Sequence, residues 1–250
     1  MEQRKRLYIL DALRGFLLIN MIAHHTLWDL FNLYDVNLPW FRGTVSTVWQ
    51  QWGCTSFIML SGFCMTFGRK KLRRALFILL CSVAVTLVTM VFMPSRPANF
   101  GILTLLGICA LISIPLEKPL SKVNPYVGLA IFLSLFLVTY GFRKGYIGIY
   151  FYELSDMPEF FYKNYFTAFF GFPHDDFRSS DYFPILPWVF AYFSGHFIFR
   201  IFKKHNKLEV FSAFRVRPFE FLGRHSLIIY LVHQPIIYGT LFLLAHFSLI

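Results

Sequence analysis

Residues 11–25 read DALRGFLLINMIAHH, and this stretch decides the predicted fold. Most of it is apolar enough to cross a membrane as a helix. Yet Asp11 and Arg14 lie near its start, and His24 and His25 lie at its end. Ionisable side chains are costly inside a bilayer and usually face a cavity or a partner. The stretch therefore indicates a membrane helix with a polar, functional face.

The whole chain has the composition of a helical membrane protein. Of its 250 residues, 56% are hydrophobic and 20% aromatic, whereas only 15% are charged. A soluble domain of this size would not need so much apolar surface. The apolar residues also form runs long enough to cross a bilayer as helices. We expect an all-α, polytopic transmembrane bundle that forms a single domain over residues 1–250.

The apolar runs predict about seven spans, or at most eight. The net charge of +11 comes mainly from Lys and Arg in alternate gaps between the runs. This pattern is typical of cytoplasmic loops, so we expect a cytoplasmic N-terminus and no nucleic-acid partner. The longest external segment should contain short helices of its own. The predicted spans are residues 7–27, 45–67, 75–93, 100–116, 126–142, 184–202 and 226–248.

One face of the first predicted span carries Arg14 near its start and His25 near its end. Arg14 and His25 are separated by close to three helical turns, a rise of roughly 16 Å. Asp11 precedes Arg14 by one turn and is placed to pair with it. His24 points about 100° away from His25. The simpler alternative is that Asp11 and Arg14 only pair and that the histidines lie at the membrane surface.

Four stretches of the sequence resemble integral-membrane acyltransferases. The first two resemble acyltransferase family 3, whose signature of Arg, ten residues and His matches Arg14 and His25. The last two are similar to small bacterial members of the related heparan-alpha-glucosaminide N-acetyltransferase catalytic-domain family. In chain order the stretches are RLYILDALRGFLLINMIAHH, FIMLSGFCMTFGRKKLRRAL, FFGFPHDDFRSSDYFPILPW and LGRHSLIIYLVHQPI.

The resemblance implies transfer of an acyl group, usually acetyl, from cytoplasmic acetyl-CoA to a hydroxyl or amine of an extracytoplasmic carbohydrate. It implies His25 as the general base, with His24 as the alternative. Asp11 would then hold Arg14, and Arg14 would bind the CoA side. In the animal lysosomal enzyme the catalytic His falls at a position near Pro39 here, and an Asn replaces His25. This chain therefore follows the spacing of family 3.

The basic loop GRKKLRR offers cations where the resemblance would place the CoA phosphates. Guanidinium and ammonium groups bind phosphate through charge-assisted hydrogen bonds. The alternative is that the loop only sets the topology and touches anionic lipid. The predicted contacts to CoA are Arg69, Lys70, Arg73 and Arg74.

Two further elements contribute candidate residues. In the last span, Ser226, Tyr230 and His233 form one polar stripe. They would line the acyl tunnel or, alternatively, make hydrogen bonds between helices. Asp181, at the outer end of the sixth span, is expected to orient His25 or to hold a sugar hydroxyl.

Two other classes of function also fit parts of the sequence. A transporter or flippase also needs polar groups inside a bundle, but the sequence shows no internal repeat and no paired broken helices. A non-catalytic membrane subunit is a further alternative. His174 and the acids beside it are adjacent on a loop, which seldom forms a full metal site, so no metal is expected. We expect the protein in the cytoplasmic (inner) membrane of a bacterium.

Overall fold

The described part of the chain contains ten α-helices, one short β-hairpin and five 3₁₀-helices of three residues each. The computed structural model describes residues 7–68 and 70–249, so Arg69 lies outside the described residues. In chain order the elements are α1 (Tyr8–Leu33), α2 (Thr44–Phe63), α3 (Lys71–Phe92), α4 (Ile102–Lys122), α5 (Pro125–Thr139), β1 (Tyr146–Ile149), β2 (Tyr152–Asp156), α6 (Tyr165–Phe170), α7 (Ile185–Lys204), α8 (Val210–Ala213), α9 (Arg217–Arg224) and α10 (Ser226–His246).

Five helical segments of the described chain are long and apolar enough to cross a membrane. They correspond to the third to seventh predicted spans. Helices α1 and α2 have the required length, but they carry more polar residues. Whether they cross the membrane therefore stays a prediction. The five segments are Lys71–Phe92, Ile102–Lys122, Pro125–Lys144, Ile185–Lys204 and Ser226–His246.

Helix α4 is longer than the predicted fourth span. The span was expected at residues 100–116, but the helix continues to Lys122 and includes Pro115 and Pro119. Proline removes one backbone hydrogen bond, and membrane helices tolerate this when neighbouring groups satisfy the backbone. The next helix follows at once, because the Asn124 side chain accepts a hydrogen bond from its first turn.

The long external segment has secondary structure of its own. The predicted short helix is confirmed as α6, whose start is capped by reciprocal hydrogen bonds between Asn164 and Thr167. The antiparallel hairpin of β1 and β2, which pairs Tyr146 with Asp156 at its open end, was not predicted. Its strands have only 4 and 5 residues, and β2 is exposed along its whole length, so no buried face imposes an alternation of apolar and polar residues on it.

Packing divides the chain into two compact units. Unit 1 contains Met1–Phe57 and His205–Ile250, and unit 2 contains Ile58–Lys204. Helix α2 runs through the boundary. The single domain over residues 1–250 stays a prediction.

In unit 1, α1 packs closely against α9. A Cβ atom on Gly15 would overlap the carbonyl oxygen of Phe219, and a Cβ atom on Gly223 would overlap that of Asp11. Only glycine allows backbones to approach this closely. The two glycines therefore bring the charged residues of α9 beside the start of α1.

In unit 2, α7 is the most deeply buried helix. Trp188, Phe193 and Phe197 are almost fully enclosed, and the Phe132 ring of α5 lies 5.5 Å from that of Phe193. At the other end of α7, the Arg200 guanidinium donates hydrogen bonds to the last carbonyl groups of α4. It thereby satisfies acceptors that a helix end leaves open. These carbonyls belong to Leu120, Ser121 and Val123.

Helix α3 exposes large apolar side chains along its length. Leu80 is 65% exposed, Val91 75% and Phe92 80%. Large contiguous apolar patches are unusual on soluble proteins and mark membrane or protein contacts. This surface suits contact with lipid.

Close packing of α2 against α7 gives a first test of the fold. A Cβ atom on Gly62 would overlap the backbone carbonyl of Tyr192, whereas one on Gly53, in the same helix, meets nothing within 4 Å. Helix propensity alone favours alanine over glycine by about 1 kcal/mol, but overpacking costs about 1–3 kcal/mol. We expect Gly62→Ala to lower the melting temperature in detergent and Gly53→Ala to keep or raise it. Equal melting temperatures for the two variants would contradict this packing.

Candidate functional site

The start of α1 carries the predicted ion pair. Arg14 Nη1 donates to Asp11 Oδ1 at 3.3 Å, and the two side chains are 19% and 15% exposed. On the other side of the same carboxylate, Arg224 Nε lies 3.9 Å from Asp11 Oδ2. Asp11 therefore connects α1 to α9.

The ionic contacts continue along α9. Glu220 is buried, and its carboxylate accepts hydrogen bonds from Arg215 at 2.9 Å and from Arg224 at 3.0 Å. The Arg215 guanidinium also lies over the Tyr8 ring, 4.0 Å from its centroid. Hydrogen bonds from Arg215 hold the pKa of Glu220 below its ordinary value, so this carboxylate stays ionised at neutral pH. Together with the α1 pair, three guanidinium groups face two carboxylates, and the cluster is net positive.

His24 packs towards α2. Its Nε2 atom lies 3.1 Å from the Ser46 hydroxyl oxygen, and its ring lies 5.2 Å from that of Phe41 and 5.5 Å from that of Trp49. The side chain is 7% exposed. These contacts give His24 a packing role in unit 1.

His25 faces α10. Its ring centroid lies 5.2 Å from that of His233, with the ring planes at 65°, and 6.3 Å from that of His24. His25 is half-buried and His233 is buried. The sequence placed these two imidazoles on separate spans, and the structure brings them into contact.

A buried carboxylate beside the histidines was missed by the sequence analysis. Asp29 is 1% exposed, and its Oδ2 atom accepts a hydrogen bond of 2.8 Å from Gln234 Nε2. It follows His25 by four residues, so the two lie on the same face of α1. The spacing of four residues from His25 was the sequence signal that could have identified Asp29.

The predicted polar stripe lies on α10 as expected. Ser226 opens the helix, and the half-buried Tyr230 has its ring 5.3 Å from that of His233. The Tyr230 carbonyl oxygen lies 2.5 Å from His233 Nδ1. The stripe therefore leads to the imidazole pair.

The remaining candidates belong to unit 2. Asp181 Oδ2 accepts a hydrogen bond of 3.1 Å from the backbone nitrogen of Ile102, and so it satisfies a free donor at the start of α4. Its catalytic role stays a prediction. In the basic loop, Lys71 Nζ pairs with Glu117 Oε2 at 2.6 Å. The other described cations of the loop are exposed at the start of α3: Lys70, Arg73 and Arg74.

Unit 1 thus combines two chemical capabilities on one helix. The cationic cluster at the start of α1 is able to bind an anion, and the imidazole pair three turns away is able to accept a proton. Within residues 7–68 and 70–249, no group of three or more His, Cys, Asp or Glu side chains is placed to hold a metal ion.

Comparison with known proteins identifies the family. The family model described as "Heparan-alpha-glucosaminide N-acetyltransferase, catalytic" matches residues 6–235. Neither the curated proteins nor the solved structures give a significant match. The family match confirms the resemblance seen in the sequence and, with the five apolar helices, indicates an integral membrane protein. The chain belongs to the heparan-alpha-glucosaminide N-acetyltransferase catalytic family, whose members are transmembrane acetyltransferases.

Proposed function

We infer that this protein transfers an acetyl group from cytoplasmic acetyl-CoA to a hydroxyl or amine of a carbohydrate outside the membrane. The observation that carries this proposal is that helix α1 of unit 1 contributes both to a cationic cluster and to an imidazole pair, in a member of an acetyltransferase family. Arg14 belongs to a cationic cluster, and His25 contacts a second imidazole. The charge pattern of the loops supports a cytoplasmic N-terminus, and we propose that the protein lies in the inner membrane of a bacterium.

On the cytoplasmic side, Arg14 would bind a phosphate group of CoA, and Asp11 would hold the guanidinium in place. Arginine suits this task because its planar group donates two parallel hydrogen bonds to phosphate. The exposed cations of the basic loop would add contacts to CoA: Lys70, Arg73 and Arg74, with Arg69 beside them in the sequence. Ser226, Tyr230 and His233 would line the path of the acyl chain.

On the outer side, His25 would act as the general base. Its neutral imidazole would take the proton of the acceptor O–H or N–H as the oxygen or nitrogen attacks the thioester carbonyl carbon. A C–O or C–N bond forms, the C–S bond breaks, and its electron pair leaves on the CoA sulfur. A transient acyl-His is the alternative route. Asp181 would orient the base or hold a sugar hydroxyl.

Binding of acetyl-CoA is the first expected result. Calorimetry on the purified protein in detergent should show binding in the micromolar range, and CoA should compete. Incubation with radiolabelled acetyl-CoA should then label glucosamine, an amine acceptor, or glucose, a hydroxyl acceptor. The absence of binding by protein that is folded by circular dichroism would contradict the proposal and favour transport of a solute.

A further inference from the structure

His233 has one ring nitrogen that is fixed and one that is open. Nδ1 lies 2.5 Å from the carbonyl oxygen of Tyr230. A carbonyl oxygen only accepts hydrogen bonds, so Nδ1 carries the proton, and the lone pair of the neutral ring lies on Nε2. Nε2 is buried and has no hydrogen-bond partner in the described structure. An unsatisfied buried acceptor of this kind calls for a donor.

His25 is the neighbouring imidazole that can supply that donor. The two ring centroids are 5.2 Å apart, and the rings meet edge to face. At this separation a nitrogen of each ring can approach the other to about 3 Å, the length of a hydrogen bond, when both nitrogens lie on the line between the two centroids.

A second contact fixes the two rings at the same level. Gln234, next to His233, donates to the buried carboxylate of Asp29, one turn after His25. Charge-assisted hydrogen bonds are shorter and stronger than neutral ones. This bond therefore holds α10 against α1 at the height of the imidazoles.

We propose that His233 is the positioning residue of His25. The proposal rests on the proposed function, in which His25 is the base. His233 Nε2 accepts a hydrogen bond from the N–H of His25, and the other nitrogen of His25 then presents its lone pair to the O–H or N–H of the carbohydrate. When His25 takes the acceptor proton, His233 shares the charge of the imidazolium, and the proton then passes to the departing thiolate. The chain of hydrogen bonds runs from the carbohydrate O–H or N–H through the His25 and His233 rings to the Tyr230 carbonyl oxygen.

The test compares His233→Ala with His233→Gln in the full-length protein. Gln offers a carbonyl oxygen close to the position of Nε2, whereas Ala offers no acceptor. We expect Ala to lower kcat by about 10–100-fold, the usual cost of losing a partner that orients a histidine, with KM for acetyl-CoA unchanged, and Gln to restore most of the loss. In a His25→Ala background, His233→Ala should cost nothing further, because a positioning residue acts only through its partner.

Two outcomes would overturn the inference and leave the proposed function standing. One is a rise in KM for acetyl-CoA with kcat unchanged, which would leave His233 as a wall of the acyl path only. The other is an equal loss for Ala and Gln. If the wild type transfers no acetyl group, ¹⁵N-histidine NMR still decides the question. A single tautomer of His25 that becomes a mixture in His233→Ala supports the pair, and an unchanged spectrum contradicts it.

Discussion

Replacement of His25 by alanine is expected to lower kcat for acetyl transfer by about 10²–10⁴-fold, the usual contribution of a general base. Acetyl-CoA should still bind, because the cationic cluster lies roughly 16 Å away along α1. The measurement pairs initial rates of label transfer to glucosamine or glucose with the calorimetric Kd for acetyl-CoA. Loss of rate with an unchanged Kd would separate the chemical step from binding.

The matched control for this variant is His24→Ala. His24 is engaged by Ser46 and enclosed by two aromatic rings, so its loss should lower the melting temperature and leave most of kcat. The base would be misassigned if His25→Ala stayed active while His24→Ala, still folded, lost turnover. Loss of acetyl-CoA binding in His25→Ala would also contradict the assigned role.

Much of the fold was predictable because a bilayer imposes simple rules on sequence. A helix needs a long apolar run to cross the hydrocarbon region, so such runs located the five apolar helices. The end of α4 was the exception, because the helix continues past the predicted residue 116 to Lys122. The pair of Asp11 and Arg14 was also predictable, because residues three apart on a helix are neighbours. Local rules of this kind need no knowledge of how helices pack.

The missed features depend on packing between distant parts of the chain. Gln234 and Asp29 are separated by 205 positions, and their contact depends on how α1 and α10 are rotated against each other. The segment between the predicted spans 184–202 and 226–248 is one of the gaps rich in Lys and Arg. Glu220 within it is nevertheless buried, in a helix whose backbone approaches α1 closely at Gly15. Periodicity reports which face of a helix is polar, but it does not identify the partner of that face.

Loss of Arg14 is expected to weaken acetyl-CoA binding more than it slows the chemical step. A hydrogen bond to a charged group contributes about 1.5–3 kcal/mol, so Arg14→Ala should raise Kd by roughly 10–150-fold. The fold should survive, because Asp11 keeps Arg224 as a neighbour at 3.9 Å. The variant should approach the wild-type kcat at saturating acetyl-CoA. Calorimetry gives the Kd, and rates measured over a range of acetyl-CoA concentrations separate kcat from KM.

Two variants control for charge and for geometry in this experiment. Lys203→Ala removes an exposed cation at the end of α7 and should leave the Kd unchanged if general attraction is unimportant. Arg14→Lys keeps the charge but loses the planar pair of donors, so its Kd should fall between those of the wild type and Arg14→Ala. If Lys203→Ala weakens binding as much as Arg14→Ala does, diffuse positive charge binds CoA and Arg14 has no special role. A wild-type Kd for Arg14→Ala would leave the basic loop as the remaining candidate for the phosphate contacts.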